Sequence, residues 1–120
     1  LGARTKAEIL GVIRHEVVHC FQYNGEGTAP GGLIEGIADF VRLRADLSPP
    51  HWKRSEKGER WDEGYEKTGF FLDWLDRTYG PSVVRRINLA LGDTQYHEEI
   101  FWNDLLGQDI GKLWEQYRHN

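Results

Sequence analysis

Two histidines and a glutamate near the start of the chain have the types and the spacing of a metal site. They lie in the stretch His15-Glu16-Val17-Val18-His19. In a helix, residues four apart project from the same face, so the two imidazole rings could bind one metal ion together. Glu16 directly follows the first histidine, which places a carboxylate beside the pair without making it a ligand. The stretch predicts a metal-dependent hydrolytic site with its own proton acceptor.

The same side chains could instead form a solvated helix face, because HExxH also arises by chance. The flanking residues favour the metal interpretation, since apolar side chains surround the motif at Ile9, Val12, Ile13, Val17, Val18 and Phe21. We therefore predict that this helix is largely buried. Histidine and glutamate are tolerated in such a setting mainly when they are paired or bind a ligand.

A catalytic zinc site usually has three protein ligands, so a third side chain has to come from elsewhere in the chain. Glu35 is the favoured candidate, because it lies in the first turn of an otherwise apolar helix that a short loop folds back onto the first. Asp39, one turn later, would accept a hydrogen bond from the distal nitrogen of a ligating histidine. The helical spacing also allows the opposite assignment, in which Asp39 is the ligand and Glu35 supports it.

A metal-free alternative is an ion network of Glu35, Asp39 and Arg42 within their own helix. Gly36 argues against it, because glycine inside a helix costs about 1 kcal/mol relative to alanine. Such a loss is easier to understand where another backbone or a ligand comes close. We therefore expect Gly36 and the small Ala38 to make room beside the metal.

The apolar periodicity predicts six helices and no strand, and the expected fold class is mainly α. The predicted helices cover approximately residues 6–24, 32–45, 61–79, 81–91, 95–106 and 109–117. Thr5 and Glu8 have the spacing of a capping box at the first helix, and Pro81 suits the first position of the fourth. The glycine-rich loop 25–32 reverses the chain, so one side of the second helix should face the first.

Length and composition point to one domain without nucleic-acid or membrane partners. The 120 residues carry 15 basic and 19 acidic side chains, a net charge of −4, and no basic run longer than Arg85-Arg86. No apolar run approaches the roughly 20 residues that cross a bilayer, and the first residues do not have a signal-peptide pattern. Cys20 is the single cysteine, and we predict that it is a small buried hydrophobe.

Several stretches together resemble a known family. An HExxH motif followed by a glutamate, and by an aspartate four residues later, resembles the gluzincin class of zinc metallopeptidases. Residues 15–22, 31–42 and 64–72 are closer still to the plant and microbial basic secretory protein family of peptidases, and the similarity continues through Leu113-Trp114-x-x-Tyr117. The resemblance implies a zincin-like core, in which the HExxH helix packs on the Glu-x-x-x-Asp helix and further helices follow.

The resemblance also implies a secreted zinc peptidase that acts on peptide or protein substrates. Zn²⁺ would be held by His15, His19 and Glu35, and Glu16 would act as general base on the attacking water. Tyr65 is the candidate for a second donor to the oxyanion, and its alternative role is as a core member of the apolar stripe at 61, 65, 68 and 72.

Arg42 is a further candidate near the site, and two roles are open to it. It could bind a carbonyl group of the substrate, or it could pair with Asp39, which lies three residues before it. The pairing is the favoured interpretation, since residues three apart are neighbours on a helix surface.

The family also carries strands before the HExxH helix, which wall the cleft and pair with the substrate backbone. Because this chain begins 14 residues before His15, we expect the single zincin-like domain 1–120 to be the C-terminal part of a longer family domain. The upstream sheet is then absent from this chain, and an upstream segment or a second chain would complete the cleft. Besides a peptidase, a catalytically inactive zinc-stabilised binding or defence module and a metal-free helical scaffold remain as alternatives.

Overall fold

The computed structural model describes residues 3–80 and 82–120, and over these residues the fold is all-helical. Six helices follow one another: α1 (Ala3–Phe21), α2 (Gly31–Arg44), α3 (Tyr65–Thr78), α4 (Val83–Asp93), α5 (Glu98–Leu106) and α6 (Ile110–Arg118). The predicted mainly α class is confirmed. No helix within the described ranges is long and apolar enough to cross a membrane. The predicted helix start at Pro81 lies outside the described residues.

The predicted bounds of α1 and α3 differ from those in the structure. α1 already contains Thr5, so this residue does not cap it, and the helix ends at Phe21, before the predicted stop near residue 24. α3 begins at Tyr65 and not near Trp61, because Gly64, with a φ of 106°, holds the backbone outside the helical region. Trp61 is still buried, in the turn that precedes α3.

The core surrounds α3, whose inner side chains contact α2 on one side and α4 and α6 on others. Fully inaccessible side chains include Phe71, Leu72, Leu75, Ile87, Trp102 and Leu113. Asp73 on α3 is also buried, and it accepts hydrogen bonds from Arg44 and Arg54 at 2.7 and 2.8 Å. Burial alone would raise the pKa of Asp73, but these two arginines hold it below its usual value. This ion cluster ties the end of α2 to α3.

α2 and α3 lie in close contact at Gly36. A Cβ atom on Gly36 would lie 2.3 Å from Cγ2 and 2.6 Å from Cβ of Thr68. Thr68 is itself fixed, because its hydroxyl donates to the Trp61 carbonyl at 2.6 Å and accepts from the Gly64 amide at 2.9 Å. The close neighbour expected at Gly36 is therefore present, but it is α3 and not a metal ion.

Replacing Gly36 with alanine should lower the free energy of unfolding by about 1–3 kcal/mol, because the added methyl group overlaps Thr68. In the absence of this overlap, alanine in a helix interior would instead raise the free energy of unfolding by about 1 kcal/mol relative to glycine. Urea unfolding followed by circular dichroism measures the change. Gly31→Ala is the matched control, since no atom lies within 4 Å of its added Cβ. Equal stability of Gly36→Ala and Gly31→Ala would contradict the close helix contact.

α1 is much more exposed than its apolar sequence predicted. Ile9 is 55% exposed, Val12 51% and Phe21 78%, although Gly11 and His15 on the side facing α2 are buried. α1 packs along α2, so only one side of it is covered while apolar residues occur on several. The prediction of a largely buried helix was therefore wrong. Cys20 is also exposed and not the buried hydrophobe that was predicted.

Candidate metal centre

His15 and His19 of α1 and Glu35 of α2 meet where the two helices pack. Nε2 of His15 lies 2.9 Å from Oε1 of Glu35, and Nε2 of His19 lies 3.2 Å from the same oxygen. The two Nε2 atoms are 3.1 Å apart. The structure thus brings together the three residues predicted as ligands, and they form a group that could hold a metal ion.

The remaining ring nitrogen of each histidine has its own partner. Nδ1 of His15 lies 2.6 Å from Oδ1 of buried Asp39, and Nδ1 of His19 is hydrogen-bonded to Oε1 of Gln22. The amide of Gln22 is oriented by its Nε2, which donates to the carbonyl of Ile34 at 3.3 Å. Because a carboxylate and an amide oxygen accept hydrogen bonds, both Nδ1 atoms carry the hydrogen.

With these hydrogens assigned, three acceptor atoms face one another: Nε2 of His15, Nε2 of His19 and Oε1 of Glu35. With Nδ1 protonated, each neutral imidazole presents the lone pair of Nε2 toward Oε1 of Glu35. Such a group is stable only when a cation, either a proton or a metal ion, lies between the acceptors. Ligand atoms of a tetrahedral zinc site with bonds of about 2.0–2.1 Å lie about 3.3 Å apart. The observed separations of 2.9–3.2 Å are close to this value, so the donor set fits zinc.

Asp39 lies on the far side of His15 from Glu35, and its side chain is almost inaccessible. Burial raises the pKa of Asp39, while the hydrogen bond from His15 opposes this effect. Of the two carboxylates that the helical spacing left open as the third ligand, Glu35 is the one with an oxygen within 3.2 Å of both Nε2 atoms. Asp39 is placed to hold the tautomer and the orientation of the His15 ring.

Glu16 lies beside the three ligand atoms on the solvent side of α1. Its carboxylate is 3.8 Å from Nε2 of His15, and 70% of its side chain is exposed. It is therefore accessible to water and to a substrate without belonging to the ligand group. Cys20 is outside this group as well, and its Sγ lies 3.8 Å from the Glu16 carbonyl oxygen.

Tyr65 lies next to the candidate metal centre and not in the core. It is 55% exposed, and its ring is nearly parallel to that of His15, with centroids 6.4 Å apart. The alternative of a core residue in the apolar stripe is thus excluded. Tyr65 has a φ of 50°, an uncommon value for a bulky residue, and such strain is frequent at functional sites.

Two glycines allow Tyr65 to reach this position. A Cβ atom on Gly32 would lie 1.8 Å from the carbonyl oxygen of Asp62, and a Cβ atom on Gly64 would meet the Cα of Gly32 at 3.5 Å. The turn that precedes α3 therefore lies directly against the first turn of α2. Because Glu35 belongs to the same part of α2, this contact brings the start of α3 beside the ligands.

Arg42 does not have the partner that the sequence suggested. Its Nε donates to the carbonyl of Leu47 at 2.9 Å, its Nη2 lies 3.5 Å from a carboxylate oxygen of Glu8, and its guanidinium lies over the Trp52 ring. No hydrogen bond joins it to Asp39 within the described part of the chain, so the predicted pairing was wrong. Arg42 is buried and anchors the end of α2, which argues against contact with a substrate.

Gln22 is the functional candidate that the sequence analysis missed. It lies just after the last residue of α1, three residues after His19, and it holds both the His19 ring and the backbone of α2. The spacing of i and i+3 from a ligating histidine was the available signal. It was not informative alone, because the position of the Ile34 carbonyl depends on the packing of α2.

Comparison with known proteins agrees with the resemblance found in the motifs. The model of the BSP family, described as "Peptidase of plants and bacteria", matches residues 2–117. This range includes His15, His19 and Glu35, which form the candidate metal centre. No curated protein and no solved structure matches the chain at a significant level.

Proposed function

The chain belongs to the BSP family of peptidases of plants and bacteria, and on this basis we propose that it hydrolyses peptide bonds with a zinc ion. The ligands are His15, His19 and Glu35. The observation that carries the proposal is the meeting of three acceptor atoms within 3.2 Å, with the other nitrogen of each histidine already bonded. That arrangement calls for a cation at the position where the lone pairs converge.

The residues around the ligands have separate tasks in this proposal. A bound zinc ion supplies a Lewis acid that polarises the carbonyl group and activates water. Glu16 takes the proton of the attacking water and passes it to the leaving amine. Asp39 and Gln22 hold the hydrogens on the two Nδ1 atoms, so that both Nε2 atoms stay available as ligands. Tyr65 donates its hydroxyl hydrogen to the carbonyl oxygen as negative charge develops there.

We extend the proposal to substrate and location on the basis of the family resemblance. The substrate is a peptide or a protein, and the protein acts outside the cell. An upstream segment or a second chain supplies the strand that pairs with the substrate backbone. The exposed carboxylate of Glu16 is consistent with this view, because it lies on a side of α1 that a substrate can approach.

Elemental analysis of the purified chain after zinc loading tests the metal centre. We expect about one zinc ion per wild-type chain and much less in His19→Ala and Glu35→Ala, because two ligands hold zinc weakly. His51→Ala and His97→Ala are matched controls, since both histidines are exposed and lie outside the ligand group. Absence of zinc from the wild-type chain would reject the proposed function and leave the helical scaffold as the alternative.

Replacing Gln22 with alanine should weaken zinc binding by about 10- to 100-fold, because the His19 ring loses the acceptor that fixes its tautomer. Competition with a chelating dye measures the dissociation constant. Gln22→Glu keeps an acceptor oxygen at the same position and should bind zinc at least as well as the wild type. Unchanged affinity in Gln22→Ala would show that the His19 ring is held by other contacts.

A further inference from the structure

α1 contacts α2 through two buried positions that lie one turn apart. Among the described positions 5–21 of α1, only Gly11 and His15 are buried. Because they are four residues apart, both face the same side of the helix, about 6 Å from each other along its axis. His15 is hydrogen-bonded to Asp39 of α2. At Gly11, the contact is with Arg42, which lies three residues further along α2.

The backbone of α1 at Gly11 leaves no space for a side chain. A Cβ atom on Gly11 would lie 2.4 Å from Nε and 2.8 Å from Nη2 of Arg42. It would also lie 2.8 Å from the carbonyl oxygen of Leu47. These distances are far below the roughly 3.5–4.0 Å at which non-bonded atoms attract each other best. Glycine is therefore the residue that lets α1 come this close to Arg42.

The guanidinium group of Arg42 is fixed by several contacts. Its Nε donates to the Leu47 carbonyl at 2.9 Å, and its Cζ lies 5.2 Å from the centroid of the Trp52 ring. The amide of Leu47 in turn donates to the Arg42 carbonyl at 3.1 Å. Nη2 lies 3.5 Å from a carboxylate oxygen of Glu8, which is three residues before Gly11 on α1. Arg42 thus contacts α1 at two successive positions on one face.

Stability alone does not account for an arginine at this position. Arg42 is 8% exposed, and its Nη2 has no hydrogen-bond partner among the described residues. The carboxylate of Glu8, its nearest opposite charge, is itself 42% exposed. A buried charge with incomplete pairing costs free energy, and an apolar side chain of similar volume is often at least as stable.

We propose that Gly11 and Arg42 are positioning residues of the metal centre, an inference that rests on the proposed function. Their contact sets the distance and rotation of α1 relative to α2, one turn from the point where His15 meets Glu35. Neither residue belongs to the ligand group. Each acts through the helix that carries the ligands, so a displacement of α1 at Gly11 also moves the Nε2 atom of His15 relative to the Glu35 carboxylate.

The zinc affinity of Gly11→Ala tests this role. The added methyl group overlaps Arg42 and the Leu47 carbonyl, so α1 has to move away from α2. Competition with a chelating dye should give a zinc dissociation constant about tenfold or more above that of the wild type. Arg42→Ala removes the same contact from the other side and should weaken binding to a similar extent.

The double variant Gly11→Ala/Arg42→Ala tests whether the two residues act through one contact. Its zinc dissociation constant should equal that of Arg42→Ala alone, because the added methyl group no longer meets a guanidinium group. Losses that multiply in the double variant would show that the two residues act independently, and would overturn the inference.

Bound Co²⁺ supplies a readout that a general loss of stability does not change. At saturating Co²⁺, the visible absorption bands depend on the arrangement of the ligand atoms, and those of Gly11→Ala should differ from the wild type. Gly111→Ala on α6 is the matched control, since its added Cβ makes only ordinary contacts. Tyr79→Phe controls for lost stability, because the Tyr79 hydroxyl is bonded to Gln108 and Gln116. Both controls should keep the wild-type affinity and spectrum.

Circular dichroism establishes that each variant is folded before metal is added. Wild-type affinity and spectrum in a folded Gly11→Ala would overturn the inference and leave the zinc proposal intact. Where Gly11→Ala does not fold, wild-type affinity in Arg42→Ala would overturn it. An equal loss of affinity in Tyr79→Phe would do so as well, because reduced stability would then explain the weaker binding. A wild-type chain that binds no zinc would reject the proposed function and this inference together.

Discussion

Replacing Glu16 with glutamine should lower kcat/KM for peptide hydrolysis by about 10²- to 10⁴-fold, with zinc content unchanged from the wild type. Glutamine has the size of glutamate but cannot take up a proton from water. The Glu16 carboxylate lies 3.8 Å from Nε2 of His15 and is largely exposed, so it is beside the ligands without belonging to them. The substitution should therefore remove the proton acceptor and leave the metal centre intact.

Cleavage of a mixed peptide library, followed by mass spectrometry, measures this loss without knowledge of the natural substrate. Glu99→Gln is the control, because Glu99 is exposed on α5 and is not part of the site. Full activity of Glu16→Gln would reject Glu16 as the general base. A wild-type chain that binds zinc but cleaves no peptide would instead support the inactive binding or defence module.

Removal of the Tyr65 hydroxyl should lower kcat by about 10²- to 10³-fold, the usual effect of losing one donor to a developing oxyanion. Tyr65→Phe keeps the ring that lies parallel to His15, so the packing beside the ligand is preserved. KM should change little, because the lost hydrogen bond strengthens only as charge develops on the carbonyl oxygen.

Steady-state kinetics on a selected peptide separates kcat from KM for this variant. Tyr23→Phe is the control, since Tyr23 is similarly exposed but belongs to the loop after α1. Zinc content of Tyr65→Phe should equal that of the wild type. An unchanged kcat would show that Tyr65 only packs against His15 and takes no part in the reaction.

The two interpretations of Tyr65 show what a periodic pattern of apolar residues does not reveal. Trp61, Tyr65, Thr68 and Leu72 have helical spacing, which is why a core role for Tyr65 was a reasonable alternative. In the structure, Gly64 delays the start of α3, and Tyr65 takes up a left-handed conformation beside the metal centre. A pattern of apolar residues does not reveal this change, because it depends on the contact between the turn and Gly32 of α2.

The burial of α1 was mispredicted for a related reason. Apolar residues occur around much of α1, and a sequence alone does not show which of them another element covers. The neighbouring helix α2 covers the side with Gly11 and His15 and leaves Val12 and Phe21 exposed. The amount of surface that remains open is thus a property of the assembled helices and not of α1.

The residue types of the candidate metal centre and their register on each helix follow from the sequence. The separation of His15 from His19, and of Glu35 from Asp39, follows from 3.6 residues per turn, which is local geometry. The contact of Glu35 with both Nε2 atoms, and that of Asp39 with Nδ1 of His15, depend instead on how α1 and α2 pack together. The distance and rotation between two helices depend on the side chains packed between them and on their neighbours. One example is Gly36, whose missing side chain leaves space for Thr68 of α3.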